Sequence, residues 1–166
     1  MSFKPEERYV IHNIVDPRPV QRTGLDSPLT LVNQTNSYAK WIITNNGDQE
    51  RYVIQNAGSN CYAHLKETAV SSCDPRTNAI VDHHEHFQAI IESPNPLTRW
   101  KIKVVSPSMY RVCIDDASVH QNSLTETQIY DPASQLFWTT HPDSNEIFLE
   151  PFSPGSDQWW AISSAQ

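Results

Sequence analysis

Aromatic and aliphatic residues recur two positions apart, with polar residues between them, in short segments along the whole chain. "YVIHNI" at Tyr9, "YVIQNA" at Tyr52 and "YRVCID" at Tyr110 share one pattern; "WIIT" at Trp41, "WKIK" at Trp100 and "WAIS" at Trp160 share another. A period of two marks a strand with one buried face. The Trp segments follow one another at 59 and 60 residues and the Tyr segments at 43 and 58. That spacing predicts a threefold internal repeat with loops of variable length.

The order of the segments predicts their pairing. Trp41 leads through the turn-rich "NNGDQER" into Tyr52, and Trp100 through "VVSPS" into Tyr110, so each Trp strand should form a hairpin with the next Tyr strand. Pairing the Trp160 strand with the Tyr9 strand would close a barrel and remove free sheet edges. Upstream of each Trp lies another apolar segment: "LTLV" (29–32), "HFQAII" (86–91) and "IFLEPF" (147–152). A fourth set is "VQRT" (20–23), "CYAHL" (61–65) and "LFWTT" (136–140). Four strands taken three times give twelve, the count of a β-trefoil: a six-stranded barrel capped by three hairpins. The expected architecture is a single all-β domain over residues 1–166, with repeats at roughly 8–48, 49–106 and 107–166. Trp41, Trp100 and Trp160, with Tyr9, Tyr52 and Tyr110, are expected in its core.

Composition narrows the function. The 166 residues include twelve prolines and four glycines, and 38% are hydrophobic; mean hydropathy is −0.54. This suits a loop-rich β protein rather than a helical bundle. A net charge of −7 without a basic run disfavours nucleic acid as a partner. No apolar stretch approaches membrane-spanning length, so no membrane partner is expected. "MSFKPEERYV" has no apolar core or cleavage site of a secretory leader. The expected location is therefore cytoplasmic, with Cys61, Cys73 and Cys113 as reduced thiols. In that compartment the "NQT" sequon at Asn33 would go unused. No nucleophile elbow, phosphate-cradling glycine loop or zinc-protease motif is present, which argues against an enzyme. No cofactor is expected.

The W-x-I and Y-x-I segments resemble those of the fungal β-trefoil proteins, which include ricin B-like lectins and protease inhibitors. Gln158 and Trp160 form a Q-x-W like that of R-type lectins; Ala39 and Thr98 stand at the Gln position of the first two units. No unit carries a clear set of sugar-binding Asp and aromatic residues. The stretch 78–114, with its V-D turn, aromatic-rich strand, proline-containing loop and W-x-I, is similar to the middle repeat of the cospin and cnispin type of serine protease inhibitor. The mycocypins, inhibitors of cysteine proteases, share the Trp and Tyr pattern.

That resemblance implies an inhibitor that offers a rigid, substrate-like loop to its target protease, with affinity from pre-organisation. The matching loop is "RTGLDSPL" (22–29): Arg22, Thr23, Gly24, Leu25, Asp26 and Ser27 are the candidate contacts. Arg22 suits an acidic specificity pocket, Leu25 or Asp26 a different one, and Pro28 stiffens the exit. Arg76, after Pro75 in a polar insertion, is a second candidate, and Arg18, between two prolines, a third. In "DHHEH" (82–86), His84 and His86 share one strand face, but H-x-H alone is a weak metal signal. The expected function is therefore protease inhibition. Glycan binding through a ricin B-like lectin surface is the alternative, and a trefoil scaffold without either activity the third reading.

Overall fold

The protein is described from a computed structural model covering residues 3–45, 51–66, 88–96, 98–107, 125–132 and 134–165. Its strands are β1 (Arg8–Asn13), β2 (Val20–Gln21), β3 (Thr30–Leu31), β4 (Trp41–Asn45), β5 (Arg51–Asn56), β6 (Tyr62–Leu65), β7 (Gln88–Ser93), β8 (Trp100–Pro107), β9 (Thr125–Asp131), β10 (Leu136–Thr140), β11 (Ile147–Glu150) and β12 (Trp160–Ser164). The alternation read from the sequence is visible in β1, where Tyr9, Ile11 and Asn13 are buried between less buried neighbours.

Six antiparallel pairings make a closed ring: β1 with β4, β4 with β5, β5 with β8, β8 with β9, β9 with β12, and β12 back to β1. The closing seam sets Tyr9 opposite Ser164 and Asn13 opposite Trp160. No edge of this barrel is left open to another strand. The other six strands form three hairpins, β2–β3, β6–β7 and β10–β11. They meet at the buried Leu29, Ile90 and Ile147. Leu29 N–H donates to Ile90 O at 2.8 Å, and Ile147 N–H to Leu29 O at 2.9 Å. The architecture is a β-trefoil.

The three W-x-I tryptophans repeat one contact. Each indole N–H donates to a backbone carbonyl on the second strand of its own unit: Trp41 to Val20 at 2.9 Å, Trp100 to Ala63 at 3.0 Å and Trp160 to Trp138 at 3.0 Å. All three rings are fully buried. Burying a ring of this size contributes roughly 4–6 kcal/mol before chain entropy is subtracted. The carbonyl partner removes the penalty of hiding the N–H. A fourth ring, Trp138, stands at the place of Val20 and Ala63 and meets Trp100 and Trp160 edge to face at 5.4 and 5.9 Å. At another part of the core, Phe3 packs edge-on against both Tyr9 and Tyr52.

The third unit departs from the sequence expectation. Its opening strand is β9, not "YRVCID". The "VVSPS" expected as a turn belongs largely to β8, which pairs with Thr125–Asp131; Tyr110 lies outside the described residues. Tyr9 pairs with Trp41 and Tyr52 with Trp100, but Thr127 pairs with Trp160. Thr127 stands where the other units have tyrosine, and its buried hydroxyl donates to Trp160 O at 3.0 Å.

Candidate functional site

The loop expected to meet a protease is braced from within. Thr23 Oγ1 donates to Pro28 O at 2.9 Å, and Ser27 N–H to Gly24 O at 3.3 Å. Asp26, in the left-handed region at φ 57, donates its N–H to Glu92 O at 3.2 Å. Leu25 stands at the tip, 55% exposed. Arg22 does not stand there with it. Its Nε lies 2.7 Å from Oε2 of the fully buried Glu92, and its guanidinium packs over the Tyr38 ring at 5.5 Å. A specificity-pocket arginine must project its whole guanidinium into its partner, and the Nε of this one is held at a buried charge.

Arg18 is likewise committed. It grips Asp16 with Nε and Nη2 and reaches Asn145 Oδ1 with Nη1 at 2.6 Å, tying the first unit to the third. The guanidinium beside Asp16 holds that carboxyl below its usual range. Arg76, His84, His86, Cys73 and Cys113 lie outside the described residues. Among the described residues no three His, Cys, Asp or Glu side chains group as metal ligands, and no helix is long and apolar enough to cross a membrane.

The chemistry that does gather on one surface belongs to the third hairpin. Phe137 pairs with Glu150 and Thr139 with Phe148 across β10 and β11, so these four side chains share the face opposite Trp138 and Leu149. His141 Nε2 and Glu150 Oε1 share a hydrogen bond, and the His141 ring meets Phe148 edge-on at 5.0 Å. Phe137 stacks on Tyr130 at 4.8 Å and touches Phe152, which is 59% exposed. Beneath them the buried Gln158 donates to Thr139 Oγ1 at 3.1 Å and Pro151 O at 2.8 Å, and accepts from Ser153 N–H at 2.8 Å. The Q-x-W glutamine thus props the hairpin that carries the aromatic face.

Symmetry shows how particular that face is. Register places Pro19, Gln21, Thr30 and Val32 at the corresponding positions of the first unit, and Tyr62, His64, Ile91 and Ser93 in the second. Only the third set joins phenylalanines to a carboxylate. The props differ in parallel. Thr98, in the Gln158 position, shares a hydrogen bond with His64, and the Ala39 side chain offers none, the buried Oε1 of Gln21 having no hydrogen-bond partner among the described residues. Sequence reasoning identified "LFWTT" and "IFLE" as strands but not this face. The signal lay in the alternation of Phe137 with Thr139 and of Phe148 with Glu150, which becomes a site only once the cross-strand register is known.

No family model matches the chain, and no curated protein does. Solved structures match over nearly its full length. A ricin B-like lectin of Macrolepiota procera, in complex with lactose, is 14% identical, covers 99% of this chain and 100% of its own, and superposes with a TM-score of 0.69. The Rhizoctonia solani agglutinin is 10% identical, covers 99% of both chains and gives 0.66. A Polyporus squamosus lectin bound to a sialylated epitope is 14% identical, covers 98% of this chain but 50% of its own, and gives 0.61. All three are fungal lectins or agglutinins. At such identities the likeness establishes a shared fold. Nothing in these comparisons supports the cospin and cnispin resemblance.

Proposed function

We propose that this protein binds carbohydrate and catalyses nothing, and that its sugar contacts lie on the outward face of the third hairpin. The observation that carries this reading is the joining of Phe137 and Phe148 to Glu150 and His141 on one surface. A pyranose ring has an apolar C–H face that packs on aromatic carbons, and hydroxyls that donate to a carboxylate. Gln158, buried and fully engaged, fixes the hairpin from below, so little ordering remains for the ligand to bring about. The lectins among the similar structures support the same reading.

The test is a glycan array with the wild-type protein and with Phe148→Ala and Glu150→Gln. Binding to neutral glycans that falls about tenfold or more in either variant, with unchanged thermal unfolding, is the expected result. An empty array would end the proposal. The inhibitor reading retains one point in its favour, the braced loop with Leu25 at its tip. A panel of trypsin, chymotrypsin, subtilisin and papain decides it: stoichiometric loss of activity reversed by Leu25→Gly would restore it.

A further inference from the structure

Glu92 is out of place by symmetry. Cross-strand register puts it opposite Ala63, as Leu31 lies opposite Val20 and Leu149 opposite Trp138. Two units fill this position with leucine, so packing does not require a charge. Glu92 is nevertheless fully buried. Its Oε1 accepts from Ser59 Oγ, and its Oε2 faces Arg22 Nε in a 2.7 Å charge contact without an aligned hydrogen bond. A buried ion pair of this kind costs desolvation that a leucine would avoid. What it achieves is the placement of Arg22.

Arg22 is held from three sides. Its Nε is drawn to Glu92, its plane lies over Tyr38, and its backbone N–H donates to Tyr38 O at 3.3 Å. Tyr38 is itself fixed by the second unit. Asn56 Nδ2 donates to its carbonyl at 2.7 Å, and the ring rests against Gly58, where an added Cβ would lie 2.6 Å from Tyr38 Cδ1. Two groups remain available at the surface. The terminal nitrogens of Arg22 make no hydrogen bond to the described residues, on a side chain that is 21% exposed. Tyr38 is 43% exposed.

We propose that this junction of the first and second units is a binding site for a carboxylate carried on a sugar ring, a uronic or sialic acid. Arg22 offers its outer edge as a two-pronged donor matched to a planar carboxylate. Glu92 lies behind the guanidinium, farther from the ligand than the positive group, so attraction exceeds repulsion. Tyr38 supplies an apolar wall for the ring. This site is separate from the third hairpin, and it rests on the reading that the protein binds carbohydrate.

Calorimetric titration with glucose, sodium glucuronate and sodium N-acetylneuraminate tests it and separates the two acid classes. At least one acid should bind about tenfold or more tightly than glucose. Arg22→Ala alone strands Glu92, so the informative variant is Arg22→Met with Glu92→Leu, which restores the leucine of the other units. It should unfold much like the wild type and lose the acid preference, while Tyr38→Ala, in an unchanged fold, should weaken binding of the acid by removing its apolar wall. Equal binding of acids and glucose, or a preference that survives Arg22→Met with Glu92→Leu, overturns the proposal. An acid preference beside an array empty of neutral glycans would sink the third-hairpin reading and leave this one standing.

Discussion

The hairpins of the second and third units share one cross-strand register and fill it differently. Leu149 adds apolar area to the core and leaves the chemistry to the outward face of its hairpin, where Phe137, Phe148 and Glu150 gather. Glu92 brings a charge into the same core position and must be answered from another unit by Arg22. One unit keeps core and surface separate, and the other couples them. Threefold symmetry therefore constrains where strands run, while each unit remains free to place its own side chains.

Replacing one partner of the coupled pair should have the largest effect. Arg22→Ala leaves Glu92 buried without its counter-charge and should cost about 3–5 kcal/mol in urea unfolding. Arg22→Met with Glu92→Leu should recover most of that, because it makes the second unit resemble the third. If the single and double variants unfold alike, the coupling does not exist.

The contrast between props gives a smaller effect. Gln158→Ala deprives Ser153 N–H of its acceptor and Thr139 of its donor, and should cost about 2 kcal/mol. Ala39 occupies the same place in the first unit without such bonds, so a cost near zero would mean that the glutamine props nothing.

The smallest effect concerns the closing seam. Burial holds the His12 imidazole below its ordinary value. The unfolded chain then binds the proton more readily. Stability is full above the ordinary histidine range and falls as pH drops through it toward the folded value, by at most about 1.4 kcal/mol per pH unit. Gln55 holds the corresponding position of β5, three residues after Tyr52 as His12 is after Tyr9. His12→Gln should therefore flatten the unfolding profile between about pH 7.5 and about pH 5.5. A wild-type profile already flat there would remove His12 from the account.

Local pattern made the barrel legible. The two-residue alternation around Tyr9, Trp41, Tyr52, Trp100 and Trp160 named five of its six strands, because each strand's burial is written in its own residues. The sixth escaped. Thr127 satisfies its position with a hydroxyl bonded to Trp160, and a threonine carries no aromatic signature to read.

The candidate sites were less legible, for a reason of scale. Arg22 read as an exposed loop residue because nothing within twenty positions announces Glu92, and a charge 70 residues away decides where its guanidinium lies. Phe137 and Glu150 become neighbours only through the register of β10 and β11. The sequence by itself determined strand periodicity, the threefold repeat and the buried tryptophans, since those follow from short-range alternation and the gain of hiding apolar area. Tertiary structure decided which charges pair and which aromatics share a face. Those outcomes depend on distances between segments that only the closed barrel brings together.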